Sequence, residues 1–285
     1  MTLPQFSPGD DPGPHFADLL RRLDLVPPAL TEAITDPLAI THGTTVVSIR
    51  YADGVLMAGD RRATSGNLIS HRTMEKVFPA DRHSGVGIAG AAGPAVDMVK
   101  LFQLQLEHYE KVEGVQLSLE GKANQLSQMV RSNLPAAMQG LAVVPIFAGY
   151  DLRRQTGRLF QYDITGGRYE ESNHAATGSG SLHAGTVIKL GYRDGLDRSE
   201  VVDLALSALF EAADEDSATG GPDPLRGIYP LVATITAAGF EQLSDAEIAE
   251  RFEGLTDALR ARQGPVAAGG TEPTTGGIET RGGGG

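Results

Sequence analysis

The chain has 285 residues, no cysteine and a formal net charge of −12. The missing thiols exclude disulfides and thiolate chemistry, and the acidic balance argues against a nucleic-acid partner, since phosphate contacts need surplus Lys and Arg. No apolar run approaches the roughly 18 residues that span a bilayer, and no basic segment followed by an apolar core opens the chain, so neither membrane anchor nor secretory signal is expected. What is left is a cytoplasmic globular protein of one large or two ordinary domains.

Three zones follow one another. Residues 1–43 are rich in Pro, Asp and Thr, with one amphipathic stretch in which Phe16, Leu19, Leu20 and Leu23 share a helical face. Residues 44–263 carry the periodic patterns of a folded domain. Residues 264–285 hold Gly-Gly pairs, Pro, Thr and a terminal Gly run, a composition too poor in apolar surface to order. The two ends therefore read as appendages.

Within the central zone, Thr44-Thr-Val-Val-Ser-Ile-Arg-Tyr51 is β-branched and alternating, which predicts a strand. Asp53-Gly54 is a hairpin turn signal, and Val55–Gly59 returns as a second strand. Pro79–Ser84 reads as a polar loop and Gly85–Ile88 as a short strand. Helical spacing then links Val96, Val99, Phe102 and Leu106, and after them Leu119, Ala123, Leu126, Val130 and Leu134. Strands are expected at Val143–Tyr150, Arg158–Asp163 and Leu231–Thr236, with a helix over Glu200–Ala213. Ser244-Asp-Ala-Glu247 is a capping box opening a final helix that ends near Arg262. Strands joined mostly by hairpins, with helices between the groups, predict antiparallel sheets covered by helices rather than a parallel βαβ sheet.

Four signals compete for the chemistry. Gly85-Val-Gly87-Ile-Ala-Gly90 matches the dinucleotide fingerprint in form, with Glu107 near the spacing of the ribose acid. However, the motif needs a strand before it and the acid at a strand tip, and here a polar loop precedes and Glu107 falls in a helix. Asp214-Glu-Asp216 could supply metal ligands, but without neighbouring His or further carboxylates it reads as a solvated helix end, and no metal is expected. Gly178-Ser-Gly-Ser181 is not a nucleophile elbow, and the seven His residues follow no Ser–His–Asp order.

The fourth signal is His42-Gly43-Thr44-Thr45, at the border between appendage and domain. A Thr hydroxyl is a weak nucleophile without a base beside it. The α-amine of an N-terminal Thr is such a base, with a pKa of about 7.7–8.0. That amine would arise here only by cutting between Gly43 and Thr44, and a glycine before the cut lets the hydroxyl approach its own preceding carbonyl. On these four residues alone, a Thr-rich strand after an ordinary turn is the better explanation of the pattern.

Other stretches tip the balance. His42-Gly-Thr-Thr-Val-Val, Met57-Ala-Gly-Asp-Arg-Arg62, Lys76 and Gly90 together resemble the proteasome β-subunit family over essentially all of residues 42–240. Leu106-Glu-His-Tyr-Glu-Lys111, Ala136-Ala-Met-Gln-Gly140, Gly178-Ser-Gly180 and Asp216-Ser-Ala-Thr-Gly-Gly-Pro-Asp223 are similar to its actinobacterial members. No single stretch is specific; the set is.

The resemblance implies a four-layer αββα sandwich of α+β class, the fold of the N-terminal-nucleophile hydrolases. Residues 1–43 become a propeptide, 44–263 the peptidase domain and 264–285 a disordered tail. It implies Thr44 as nucleophile and its freed amine as base, with Asp60 and Lys76 beside them. Gly90 would offer its N–H to an oxyanion, and Ser179, Asp216 and Thr219 would form the polar shell around the amine. Thr219 stands where most members carry Ser, keeping the hydroxyl. Ala63, Thr64, Met74, Ile88 and Ala92 fall where the family lines its pocket for the residue before the cut, which implies a hydrophobic, chymotrypsin-like preference. No cofactor is implied. Implied partners are a homo-heptameric β ring, flanking α-subunit rings and an ATPase ring delivering tagged proteins. Two other readings are a simpler bacterial ring peptidase and a silent ring subunit. The first usually has Gly-Asp-Gly-Gln where this chain has Gly59-Asp-Arg-Arg62, and joint retention of Thr44, Asp60 and Lys76 argues against the second.

Overall fold

The alternation in β1 (Thr45–Tyr51) sorts its side chains onto two faces. Val47, Ile49 and Tyr51 join one apolar cluster, while Val46 joins another on the opposite face. The computed structural model describes residues 43–263. β2 (Gly54–Gly59) returns antiparallel, pairing Tyr51 with Gly54 as the Asp53-Gly54 turn predicts. It splits in the same way, with Leu56 and Ala58 on one face and Val55 and Met57 on the other.

β3 (Ala63–Ser65) and β4 (Leu68–His71) form a separate two-stranded ribbon. Next come β5 (Val77–Asp81) and β6 (Ser84–Gly87), then helices α1 (Ala92–Glu113), α2 (Leu119–Ser132) and the single turn α3 (Leu134–Ala137). β7 (Ile146–Asp151), β8 (Thr156–Tyr162), β9 (Arg168–Glu171) and β10 (His174–Gly178) follow. Helices α4 (Ser181–Gly191) and α5 (Arg198–Glu215), strands β11 (Leu231–Thr236) and β12 (Gly239–Gln242) and helix α6 (Asp245–Gln263) complete the domain. No helix among the described residues is long and apolar enough to cross a membrane.

One sheet has the order β10-β1-β2-β11-β12 and the other β5-β6-β7-β8-β9, all neighbours antiparallel. Three apolar layers bind them. Val46, Met57, Ile146, Leu159, Leu231 and Ile235 fill the space between the sheets. Val47, Leu56 and Val232 meet α4, α5 and α6 through Ile188, Val202, Leu206 and Ile248. Val86, Phe147 and Phe160 meet α1 and α2 through Phe102, Leu126 and Val130. The result is the four-layer αββα sandwich expected.

Several expectations need correction. Pro79–Asp81 belongs to β5 rather than to a loop, so a strand does precede the glycine run. The glycines have other reasons to be there. A Cβ on Gly87 would lie 2.4 Å from Val46 across the sheet interface, and Gly90 has φ +105 with its Cβ position 2.1 Å from the Ala142 carbonyl. The Ser244 cap is present, accepting from the Glu247 N–H at 3.2 Å. Helix α4 was not anticipated: it has no side-chain N-cap, and Gly185 and Gly191 dilute its pattern. The segments 1–42 and 264–285, including the amphipathic stretch and the Gly-rich tail, lie outside the described residues.

Phe147 ties the outer layer together. It meets Phe102 edge-on at 5.9 Å and stacks on Phe160 at 6.0 Å, fully buried. Phe147→Ala should lower unfolding free energy by about 3–5 kcal/mol. Chemical unfolding followed by intrinsic fluorescence checks this; a loss below about 1 kcal/mol would mean the layer is held elsewhere.

Candidate active site

Antiparallel pairing brings the start of β1, the end of β2 and the end of β10 to one end of the first sheet, since Val46 faces Gly59 and Thr45 faces Gly178. At the same end lie the start of β5 and the end of β6, because Val77 faces Gly87. Thr44, Asp60, Ser179 and Lys76 each stand one residue beyond one of these strand ends, so residues far apart in sequence converge.

Asp60 is buried and accepts four hydrogen bonds. Its Oδ1 takes the Thr45 N–H at 2.8 Å and Lys76 Nζ at 2.7 Å. Its Oδ2 takes the N–H groups of Arg62 and Gly220, both at 2.8 Å. Lys76 is 1% exposed and donates to Asp60 Oδ1, to the Arg62 carbonyl at 2.6 Å and to the Gly43 carbonyl at 3.3 Å. Burial pushes the Lys76 pKa down, while the Asp60 carboxylate opposes that shift. Three acceptors and no donor around Nζ match the three protons of an ammonium, so the charged form suits this site.

Thr44 is 5% exposed. Its hydroxyl donates to the Gly43 carbonyl at 2.7 Å, the oxygen that Lys76 also contacts. Its N–H donates to Ser179 Oγ at 3.3 Å. Ser179 Oγ donates to Asp216 Oδ2 at 2.5 Å, and Thr219 Oγ1 donates to the same oxygen at 2.6 Å. Asp216 caps the C-terminus of α5. Burial alone would raise its pKa, but the Ser179 and Thr219 hydroxyls and the Ala218 N–H hold it below the usual carboxylate range. Asp214 and Glu215 are exposed, as a solvated helix end should be; Asp216 is not, being turned into this cluster.

Thr44, Asp60, Lys76, Ser179, Asp216 and Thr219 thus share one hydrogen-bonded network. Gly90 is not part of it. Backbone bonds hold it on both sides, Ala91 N–H to the Ala142 carbonyl and Val144 N–H to the Ala89 carbonyl, and its own N–H has no partner among the described residues. Thr64 enters the network through Gly43, whose N–H it accepts at 3.1 Å. Ala63 and Ile88 are buried, Met74 packs on the cluster containing Ile88, and Ala92 opens α1 half-buried. The glycine at position 43 is a matter of space, since a Cβ there would lie 2.0 Å from the Ala218 Cβ.

Three contributors escaped the sequence reading. Thr45 binds Asp60 and also Thr219, Arg62 supplies both an N–H and a carbonyl, and Gly220 donates to Asp60 from the far loop. The only available signals were the doubled Thr and the Gly220-Gly221 pair, each commonplace alone.

The sequence profile of a family described as "Proteasome subunit" matches residues 40–223. A protein named proteasome subunit beta from Acidimicrobium ferrooxidans is 57% identical over 264 residues, covering 92% of this chain and 96% of that one. Its namesake from Streptomyces griseus is 58% identical over 242 residues, with 85% of each chain covered. That of Acidothermus cellulolyticus is 53% identical over 254 residues, covering 87% and 88%. By profile and by these identities, the chain belongs to the proteasome subunit family.

Proposed function

We propose that this chain is the precursor of a catalytic proteasome β subunit, a threonine endopeptidase that activates itself by cutting between Gly43 and Thr44. The observation carrying this reading is the pair of donors on one carbonyl: Thr44 Oγ1 at 2.7 Å and Lys76 Nζ at 3.3 Å from the Gly43 oxygen. A nucleophile therefore lies against the bond to be cut, with a cation polarising it.

In the first step Thr44 Oγ attacks the Gly43 carbonyl carbon and the C–N bond breaks. The hydroxyl proton ends on nitrogen, giving an ester between Gly43 and Thr44 Oγ and a free α-amine. Water then hydrolyses the ester, releasing residues 1–43 with a C-terminal carboxylate. In the mature enzyme that amine takes the Thr44 hydroxyl proton as Oγ attacks a substrate carbonyl, and passes it to the leaving amine. Water hydrolyses the resulting acyl ester. Lys76, held by Asp60, favours the neutral amine and the developing alkoxide, and Ser179, Asp216 and Thr219 orient the amine. The unpartnered Gly90 N–H is the donor for the oxyanion, a contribution of about 3 kcal/mol in comparable sites.

Ala63, Thr64, Met74, Ile88 and Ala92 carry no charge, so the pocket beside them suits hydrophobic residues before the cut. In this reading seven copies form a β ring between α-subunit rings in the cytoplasm, fed by an ATPase ring with tagged proteins. Residues 1–43 keep Thr44 blocked until assembly, and residues 264–285 are a dispensable tail.

Thr44→Ala should abolish leader removal and peptide hydrolysis, a loss of several orders of magnitude, because nucleophile and base are one residue. Mass spectrometry of assembled particles and a fluorogenic peptide ending in a hydrophobic residue check both. Activity within tenfold of wild type would place the nucleophile elsewhere.

Gly43→Ala forces a methyl into Ala218 and should slow leader removal by roughly 100-fold, the scale of an ångström-sized misplacement. When Thr44 is exposed instead by a cleavable fusion, turnover should be normal, because residue 43 is gone. Normal processing of Gly43→Ala would show that the loop carrying Ala218 yields.

Lys76→Ala leaves Asp60 unpaired and should collapse both processing and turnover. Lys76→Arg keeps the charge with a different shape and should rescue incompletely. Unchanged turnover per folded particle in Lys76→Ala would reduce the pair to a structural salt bridge.

A further inference from the structure

The cut that frees the Thr44 amine also removes one of the two peptide bonds holding Thr44. Afterwards the nucleophile is joined to the fold only through Thr45. The direct contacts between Thr44 and the Asp216 half of the network are long, its nitrogen lying 3.3 Å and its carbonyl oxygen 3.4 Å from Ser179 Oγ. Whatever fixes Thr45 therefore fixes the nucleophile.

Thr45 is fully buried, and all its polar groups are engaged. Its N–H donates to Asp60 Oδ1 at 2.8 Å, and its carbonyl accepts the Asp60 N–H at 3.1 Å. Its hydroxyl lies 2.6 Å from Thr219 Oγ1, also fully buried. A proton count sets the direction of that bond. Thr219 has one hydroxyl proton, which goes to Asp216 Oδ2 at 2.6 Å. Thr45 must then be the donor, giving a one-way chain from Thr45 through Thr219 to Asp216. The same Asp216 oxygen receives the Ser179 hydroxyl. Gly180 presses on this pair: a Cβ there would lie 2.3 Å from Thr45 Oγ1 and 2.8 Å from Thr219 Oγ1. The peptide following Ser179 is thus seated on the two hydroxyls.

We propose that Thr45 is a positioning residue for the reaction at Thr44, its backbone bound to Asp60 and its hydroxyl bound through Thr219 to Asp216. It couples the half of the site that holds Lys76 to the half that holds the amine. Thr219 takes part as more than a stand-in for serine: with both side chains branched at Cβ and buried, each χ1 has little freedom and the two hydroxyl oxygens stay in place. This rests on the reading of Thr44 as nucleophile.

The test uses assembled particles in which Thr44 is exposed by a cleavable fusion, so that processing is not required. Thr45→Val keeps volume and loses the hydroxyl; Thr45→Ser keeps the hydroxyl and loses the methyl. Hydrolysis of a fluorogenic peptide is measured per titrated active site. Thr45→Val should lower kcat by about 10–100-fold with KM within about twofold, and Thr45→Ser should stay within about threefold of wild type. If Thr45→Val does not assemble, Thr45→Ala takes its place, since Ala and Ser differ here only by the hydroxyl. A Val or Ala variant with near-normal kcat, a Ser variant as impaired as either, or a change confined to KM would each overturn the proposal. Thr44→Ala run alongside separates the two readings. If it is active, the assignment of Thr44 fails; if it is inert while Thr45→Val is normal, only the role of Thr45 fails.

Discussion

Asp60 and Lys76 form an ion pair with almost no exposure, and the rest of the site is arranged around it. Burying two charges costs several kcal/mol each after relaxation, and Coulomb attraction offsets that only where the remaining lone pairs and protons are matched. Here they are. Asp60 receives three backbone N–H groups besides Lys76, and Lys76 gives its other two protons to carbonyls. The two residues also come from different sheets, Asp60 from the end of β2 and Lys76 from the entry to β5. The pair therefore locks the two sheets together at the end where Thr44 stands, and the Gly220 loop is tied to the same carboxylate.

The second carboxylate works differently. Asp216 lies at a helix C-terminus, where the helix dipole disfavours negative charge. Two hydroxyls and the Ala218 N–H hold it ionised in spite of that and of partial burial. Ser179 then has its proton committed to Asp216, which leaves its lone pairs free to accept from Thr44 nitrogen. Under the proposed self-cleavage, the acceptor for an amine proton is thus built before the amine exists. Groups set in this way need not reorganise when bonds change, the feature that makes fixed dipoles effective in catalysis.

How much of this was legible depended on whether a residue's role was local. β1, β2, β11 and helices α1, α2, α5 and α6 show strong periods and appear near their expected bounds. β4 is exposed at all four positions and β9 reads Arg-Tyr-Glu-Glu, so neither offers an apolar face to detect. β5 contains Pro79 and Asp81, both poor strand formers, which is why its second half, from Pro79 on, reads as a loop. At the site, no periodicity links positions 44, 60, 76, 179 and 216; only the antiparallel registers do. Resemblance supplied those residues, and reasoning from spacing alone favoured a solvated helix end for Asp216. Thr45 was missed because a β-branched residue in a strand already has a sufficient explanation. The proton count that reveals its hydroxyl as a donor needs coordinates.

The glycine run from 85 to 90 shows how one pattern can serve unrelated ends. In a dinucleotide site the glycines let backbone approach a pyrophosphate. Here the first two belong to β6, on the face turned toward the other sheet, where Met57 and Val46 occupy the space a Cβ would need. The sheets can close on each other at that point only because β6 lacks side chains there. That closeness brings the end of β6 beside the start of β1, where Thr44 stands. The third glycine takes a left-handed turn that both its neighbours hold by backbone bonds, leaving its own N–H without a partner among the described residues. Gly90 is only half-buried, so this N–H stays open to an acceptor from outside the fold. In the reaction proposed above a substrate oxyanion is that acceptor, and under that proposal the steric demand of the sandwich and the electrostatic demand of the reaction meet in the same few residues.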